Sequence, residues 1–266
     1  MTVIHHVDIY RREFVKALER VSQRYHVMDV FSDFCAVASC AVEQLTNCVA
    51  EREERYKAIL EKYTKEEQAE FPKLLALVVD ALEHSRESFL GPVLEEIGAA
   101  NVRNGQFLTP WSVAYMMAEC NCAGLVERHK SGELITLNDP ACGASVTLIS
   151  QGEYLLKRGI PQRDIVIYGG DIDYRACDIS FIELTILGYA ARIDHMNALS
   201  MKVLSRPRWT VGYYLHGTQW REGRRAAATE AENETEATEA QAAQETQEQP
   251  QTFAAVGRAA QMEFQL

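Results

Sequence analysis

Leu137-Asn138-Asp139-Pro140-Ala141-Cys142-Gly143-Ala144-Ser145-Val146-Thr147-Leu148 is the stretch on which the reading of this chain turns. A short apolar run with two β-branched residues, Leu134 to Leu137, precedes it. A helical pattern with apolar residues at Val146, Ile149 and Leu156 follows it. A strand, a tight Gly-containing turn and a helix N-terminus in succession place backbone N–H groups where they can face a ligand. Asp139, at the strand tip, is positioned to accept hydrogen bonds from the ligand's polar end.

Working outward toward the C-terminus, strand-like segments at 134–137, 165–168 and 190–193 alternate with helical patterns at 146–158 and 173–187. Such alternation marks a parallel sheet with crossover helices. Ligands of these sheets sit beyond the carboxyl ends of the strands. There the sequence offers Asp139-Pro140, Gly169-Gly170-Asp171 and Asn197. An acidic residue closing the second strand can accept from both hydroxyls of a ribose. Asp171 is expected in that role, and Asp173 as the cap of the helix beginning near Tyr174.

Toward the N-terminus, residues 8–100 read as helices. Phe31, Phe34, Cys35, Ala38, Ala41, Val42 and Leu45 form one apolar stripe. Thr64-Lys65-Glu66-Glu67 has the form of a capping box. The helix after it carries Leu74, Leu75, Val78, Val79 and Leu82, and another pattern runs through Phe89, Val93, Leu94 and Ile97. Thr109 as cap and Pro110 at the first helical position predict a further helix start, with Val113, Met116, Met117 and Cys120 on its apolar face.

The formal net charge is −11 over 266 residues. Residues 222–266 contribute nine Glu and three Arg of this, so the remainder is only mildly acidic and does not exclude a local basic face. Arg206, Arg208, Arg221, Arg224 and Arg225 are the densest basic stretch, suited to phosphate contacts or to a solvated surface. Seven cysteines with no CxxC pair suggest neither a disulfide framework nor a zinc cluster. No apolar run approaches the ~20 residues that span a bilayer, and the first ten residues lack a signal-peptide core, so no membrane association and a cytoplasmic location are expected. Residues 222–252, made largely of Ala, Glu, Thr and Gln, cannot form a core and read as a disordered tail.

Four motifs occur in a telling order: Phe89-Leu90-Gly91-Pro92-Val93-Leu94-Glu95-Glu96-Ile97, Asn104-Gly105-Gln106-Phe107-Leu108-Thr109-Pro110, Asn138-Asp139-Pro140-Ala141-Cys142-Gly143 and Tyr168-Gly169-Gly170-Asp171-Ile172-Asp173. Over residues 85–200 the chain resembles the adenine-N6 DNA methyltransferases of the type I restriction–modification kind, including their short phage and plasmid relatives. The resemblance implies an α/β S-adenosylmethionine-dependent methyltransferase (Rossmann-like) domain preceded by a helical domain. The expected division is 1–100 helical, 101–221 methyltransferase-like and 222–266 tail. It implies S-adenosylmethionine as cofactor. Gln106, Phe107, Thr109 and Pro110 would line its methionine end, and Asp139, Pro140, Ala141, Cys142 and Gly143 would form the loop around its amino-acid part. Asp171 would hold the ribose and Ile172 the adenine ring, with Asn197 standing where the family usually has an acidic residue.

The chain departs from the family in three places. Ser145 stands where the family commonly has Gly, adding bulk at a close backbone approach, or capping the helix from Val146. The catalytic Asn/Asp-Pro-Pro-Tyr/Phe tetrapeptide, which engages a flipped base, occurs nowhere in the sequence. The sheet also reads as incomplete: Thr210–His216 is expected as a fourth strand, with Trp209, Tyr213 and Tyr214 as buried strand aromatics. DNA is the partner the resemblance implies, and an incomplete sheet points to a partner subunit or a homo-oligomer. Two readings compete: a site-specific adenine DNA methyltransferase, and a non-catalytic cofactor-binding or interaction protein, such as a partner-completed subunit or a mobile-element factor that interferes with restriction or methylation. A nicotinamide-dependent dehydrogenase is disfavoured, because no Gly-x-Gly-x-x-Gly follows the first strand.

Overall fold

Helices of the N-terminal region form because apolar residues recur at helical spacing, and two of them start on a side-chain cap, His26 and Thr64. The computed structural model describes residues 6–47, 49–98 and 109–216. In order these give α1 (His6–Val21), α2 (Val27–Glu43), α3 (Ala50–Leu60), α4 (Lys65–Gln68), α5 (Glu70–His84) and α6 (Leu90–Gly98). Then come α7 (Trp111–Lys130), β1 (Ile135–Asp139), α8 (Val146–Lys157), β2 (Ile165–Asp171), α9 (Tyr174–Ile186), β3 (Ala190–Asn197), β4 (Lys202–Val203) and β5 (Arg208–Trp209). The Thr64 capping box is present, with Thr64 accepting from the Glu67 N–H and the Glu67 carboxylate accepting from the Thr64 N–H; it starts the short α4 directly before α5. Among the helices described, none is long and apolar enough to cross a membrane.

β1, β2 and β3 are adjacent and parallel, with Ile135 opposite Ile165 and Val166 opposite Ala190. Each connection carries a helix, α8 and then α9, which is the Rossmann-like arrangement. After β3 the chain reverses, and β4 and β5 both pair antiparallel with its outer edge. Among the described residues, nothing pairs with the edge of β1 that faces away from β2.

The core runs without a break from the helices into the sheet. Phe14 meets Phe34 and Phe89 edge-on at 5.2 and 5.7 Å, and α2 lies along α9. The boundaries expected near 100 and 221 fall outside the described residues.

A buried ion-pair network ties these parts together. Asp178 of α9 accepts from Ser39 of α2 (2.7 Å), Arg55 of α3 (2.9 Å) and Arg208 of β5. Arg208 also donates to the Tyr174 hydroxyl at 2.9 Å, and Glu43 pairs with Arg52. Burial alone would lower Arg208, yet Asp178 holds its guanidinium above the usual value. Arg52, in contrast, is brought down to about 10 by burial and by Arg208.

Four expectations need correction. Thr210–His216 is not a strand: residues 211–216 are helical, and Thr210 starts them by accepting from the Tyr213 N–H. Within this turn Gly212 lies so close to the preceding chain that a Cβ there would stand 2.7 Å from the Gly188 and Tyr189 backbone. Trp209 and Tyr213 are accordingly half-buried, with centroids 4.1 Å apart, and Tyr214 is exposed. Arg208 is neither solvated nor free for phosphate but buried in the network. On α7 the expected apolar face is turned outward: Val113, Met116, Met117 and Cys120 are exposed, whereas Ala114, Ala118 and Cys122 are buried. Small residues at that spacing let α7 lie close on α8, where Ser150 donates to the Ala114 carbonyl. Lastly, Leu45 is exposed because α2 ends two residues before it.

Candidate functional site

The three strands end at Asp139, Asp171 and Asn197, so the sheet delivers two carboxylates and a carboxamide to one end. Asp139 Oδ1 accepts from the Ala141 N–H (3.1 Å) and Oδ2 from the Thr147 hydroxyl (2.8 Å). Asp171 Oδ2 accepts from the Gly143 N–H (2.9 Å) and Oδ1 from the Asp173 N–H (2.8 Å). The Cys142 N–H donates to the Gly170 carbonyl at 2.8 Å, and Ser180 of α9 donates to the Gly143 carbonyl at 2.8 Å. The 139–145 loop is thus tied to both neighbouring elements before any ligand arrives.

These bonds correct one expectation from the sequence. The N–H groups of Ala141, Cys142 and Gly143 are engaged inside the protein rather than aimed at a ligand. The acceptors are what remain. An ionised carboxylate has about four lone-pair positions, and Asp139 and Asp171 each use two of them here while staying half-exposed. Spare acceptors of this kind suit an ammonium group or sugar hydroxyls, and in that respect the site fits S-adenosylmethionine.

Backbone conformation at the loop is unusual at two residues. Gly143 has φ 54° and Ser145 φ 58°, both left-handed. Ser145 is the N-cap residue of α8, but its side chain makes no cap bond, contrary to the alternative capping role. Its buried hydroxyl has no well-formed hydrogen bond, although the Cys142 thiol is close enough to feel it. Burial pushes the Cys142 thiol up to about 12, and Cys177 is raised for the same reason. Neither is a nucleophile at neutral pH.

Asp173 caps α9 as expected, accepting from the Arg175 N–H at 2.8 Å. Ile172 stands 58% exposed beside Asp171. The Asn197 carbonyl oxygen accepts from Leu199 and Ser200 N–H groups at 3.0 and 3.1 Å, holding the hairpin into β4. Gly169 and Gly170 lie inside β2, where side chains would strike Ile193 and Met196. Thr109 and Pro110 precede α7. Thr109 is not its cap: Pro110 takes the N-cap position, in an extended conformation, and its carbonyl accepts from Val113 and Ala114. Gln106 and Phe107 lie outside the described residues. Sequence reading gave no role to Thr147, whose hydroxyl reaches Asp139 from eight residues on, and missed Ser180 and His195, which contact the site from 37 and 23 positions away and carry no local signal.

Fold and site together define an α/β domain that presents polar acceptors at the carboxyl ends of parallel strands, the class that binds nucleotide-like cofactors. Within that class, the chain belongs to the N-6 DNA methylase family, whose model matches residues 80–216, just over half of the sequence. No curated protein matches it. Among solved structures it is similar to a protein of Listeria monocytogenes described as a class I S-adenosylmethionine-dependent methyltransferase. That pair has 16% identity and a TM-score of 0.42, covering 76% of this chain and 57% of the other. A second is the type I restriction–modification methyltransferase subunit of Streptococcus thermophilus, with 11% identity and a TM-score of 0.43, covering 76% and 61%. The chain therefore spans about three-fifths of the length of these structures.

Proposed function

We propose that this protein binds S-adenosylmethionine at the ends of β1, β2 and β3 and serves as the cofactor side of an adenine-N6 DNA methyltransferase. The observation that carries this reading is the pair of half-exposed carboxylates, Asp139 and Asp171, fixed to one loop with acceptor capacity to spare. Asp139, with Pro140, Ala141, Cys142 and Gly143, holds the amino-acid part, together with Gln106, Phe107, Thr109 and Pro110. Asp171 accepts from the ribose hydroxyls. Ile172 packs against the adenine, and Asn197 offers its amide there. When bound, the cofactor supplies a methyl group on a positively charged sulfur.

Methyl transfer also requires acceptors that draw on the amino protons of the target adenine. The tetrapeptide that supplies them in the family is absent from this sequence. The edge of β1, unpaired among the described residues, favours completion of the sheet by another chain, since an unpaired parallel strand seeks a partner. On this reading the chain is a partner-completed subunit: a second copy is the simplest partner to cover the β1 edge, and action on DNA needs a chain that brings the missing acceptors.

The test is transfer of tritium from methyl-labelled cofactor to adenine-containing DNA, run beside light scattering of the protein. Cofactor retention without label on DNA, in a chain that associates in solution, is the expected outcome. Label at adenine N6 from a monomer would refute partner completion. Failure to retain cofactor would refute the whole reading.

A further inference from the structure

β3 carries a histidine for which the cofactor reading has no use. His195 is the register partner of Asp171, the last pair between β2 and β3. Just beyond, its Nε2 lies 3.1 Å from the Ile172 carbonyl, so the side chain takes over where backbone pairing stops. A carbonyl oxygen only accepts, and therefore Nε2 carries the ring proton and donates it. Nδ1 is left as a buried lone pair with no partner. The ring stands edge-on to Tyr174, 4.9 Å between centroids and 79° between planes. A residue with only packing to do would not carry a buried orphan acceptor, because an apolar ring fills the same space without one.

What this arrangement fixes is the backbone of Ile172. The Asp173 N–H on its far side donates to Asp171 at 2.8 Å, and Asp173 is itself committed to capping α9. The Ile172 carbonyl and the Asp173 N–H belong to one peptide unit, which His195 and Asp171 therefore hold from its two sides, while the preceding unit is held by the Cys177 thiol, which donates to the Asp171 carbonyl at 3.5 Å. A β-branched side chain on a restrained backbone has few rotamers, and this one points into solvent. A fixed apolar surface beside a carboxylate with spare acceptor capacity suits a flat heteroaromatic ring that carries a ribose.

We infer that His195 is a positioning residue that sets Ile172 as the platform for the adenine ring of an adenosine ligand; the inference rests on the cofactor reading above. The test is calorimetric titration of the full chain with S-adenosylmethionine and with 5′-methylthioadenosine, which lacks the amino-acid part. His195→Ala weakens both ligands by the same factor, roughly tenfold, as expected for one lost hydrogen bond. His195→Gln, whose amide nitrogen reaches the same carbonyl, recovers most of the loss. His195→Asn, which is shorter, behaves like the alanine variant. Asp139→Ala weakens S-adenosylmethionine but not methylthioadenosine.

Circular dichroism melts establish that each variant is folded. If His195→Ala fails to fold, the glutamine–asparagine contrast decides. Wild-type affinity for both ligands in a folded His195→Ala, or equal behaviour of the Gln and Asn variants, overturns the inference. Binding of neither ligand by the wild-type chain sinks the cofactor reading, and this inference with it.

Discussion

Glu183 offers a test of the packing between the N-terminal helices and the sheet layer. It is fully buried on α9 and accepts from the Phe89 and Leu90 N–H groups at the start of α6. Its second oxygen has no well-formed hydrogen bond. Burial pushes its carboxyl from 4.5 to about 7, against the pull of the two backbone donors. A rise of that size corresponds to roughly 3 kcal/mol of preference for the protonated form in the folded state. The folded chain thus holds this proton more tightly than the unfolded chain does. The stability it contributes is greatest below pH 4.5, declines as pH rises, and is gone above pH 7. Glu183→Gln keeps an oxygen for the two N–H groups and cannot ionise. Urea unfolding of both proteins, followed by far-ultraviolet circular dichroism at several pH values, isolates the effect. Relative to wild type, the variant should gain roughly 2–3 kcal/mol between about pH 5 and pH 8. A difference between the two proteins that stays constant with pH would refute the reasoning.

Other substitutions probe separate links. Asp178→Ala strands Arg208 in the interior and should cost roughly 3–5 kcal/mol; a loss in urea unfolding below about 1 kcal/mol would mean that Glu43 and Tyr174 compensate. Ser145→Gly removes a left-handed serine, a strain of about 1–2 kcal/mol, together with its poorly bonded hydroxyl. After the entropy of the added glycine, about 0.5–1 kcal/mol, a net gain near 1 kcal/mol is expected, and a lower melting temperature would contradict it. Gly152→Ala should destabilise despite better helix propensity. The new Cβ would stand 2.5 Å from the Tyr189 hydroxyl, which is buried and bonded to Glu153. Overpacking of that kind costs about 1–3 kcal/mol, and unchanged stability would show that Tyr189 can move.

Much of the fold was legible because its signals are local. Alternation of periods located β1, β2 and β3, each running a few residues further than expected, and so placed Asp139, Asp171 and Asn197 at the strand ends. The Thr64 box and the Asp173 cap are short-range hydrogen bonds between residues two or three apart, which sequence spacing records. What stayed hidden depends on distant partners. Arg208 looked like surface charge because Asp178 and Glu43, its counterions, lie 30 and 165 positions away. The inward face of α7 was misread because periodicity favours large residues, whereas close helix packing selected Ala114, Ala118 and Cys122. The loop's N–H groups looked available until Gly170 and Asp171, on the next strand, were seen to occupy two of them.

The most direct test of the central claim is calorimetric titration of the full chain with S-adenosylmethionine, beside the Asp139→Ala, Asp171→Ala double variant. Saturable binding by the wild type, lost in a folded double variant, is the predicted result. No binding by the wild type, or equal binding by both proteins, would contradict the assignment of the strand ends as the cofactor site.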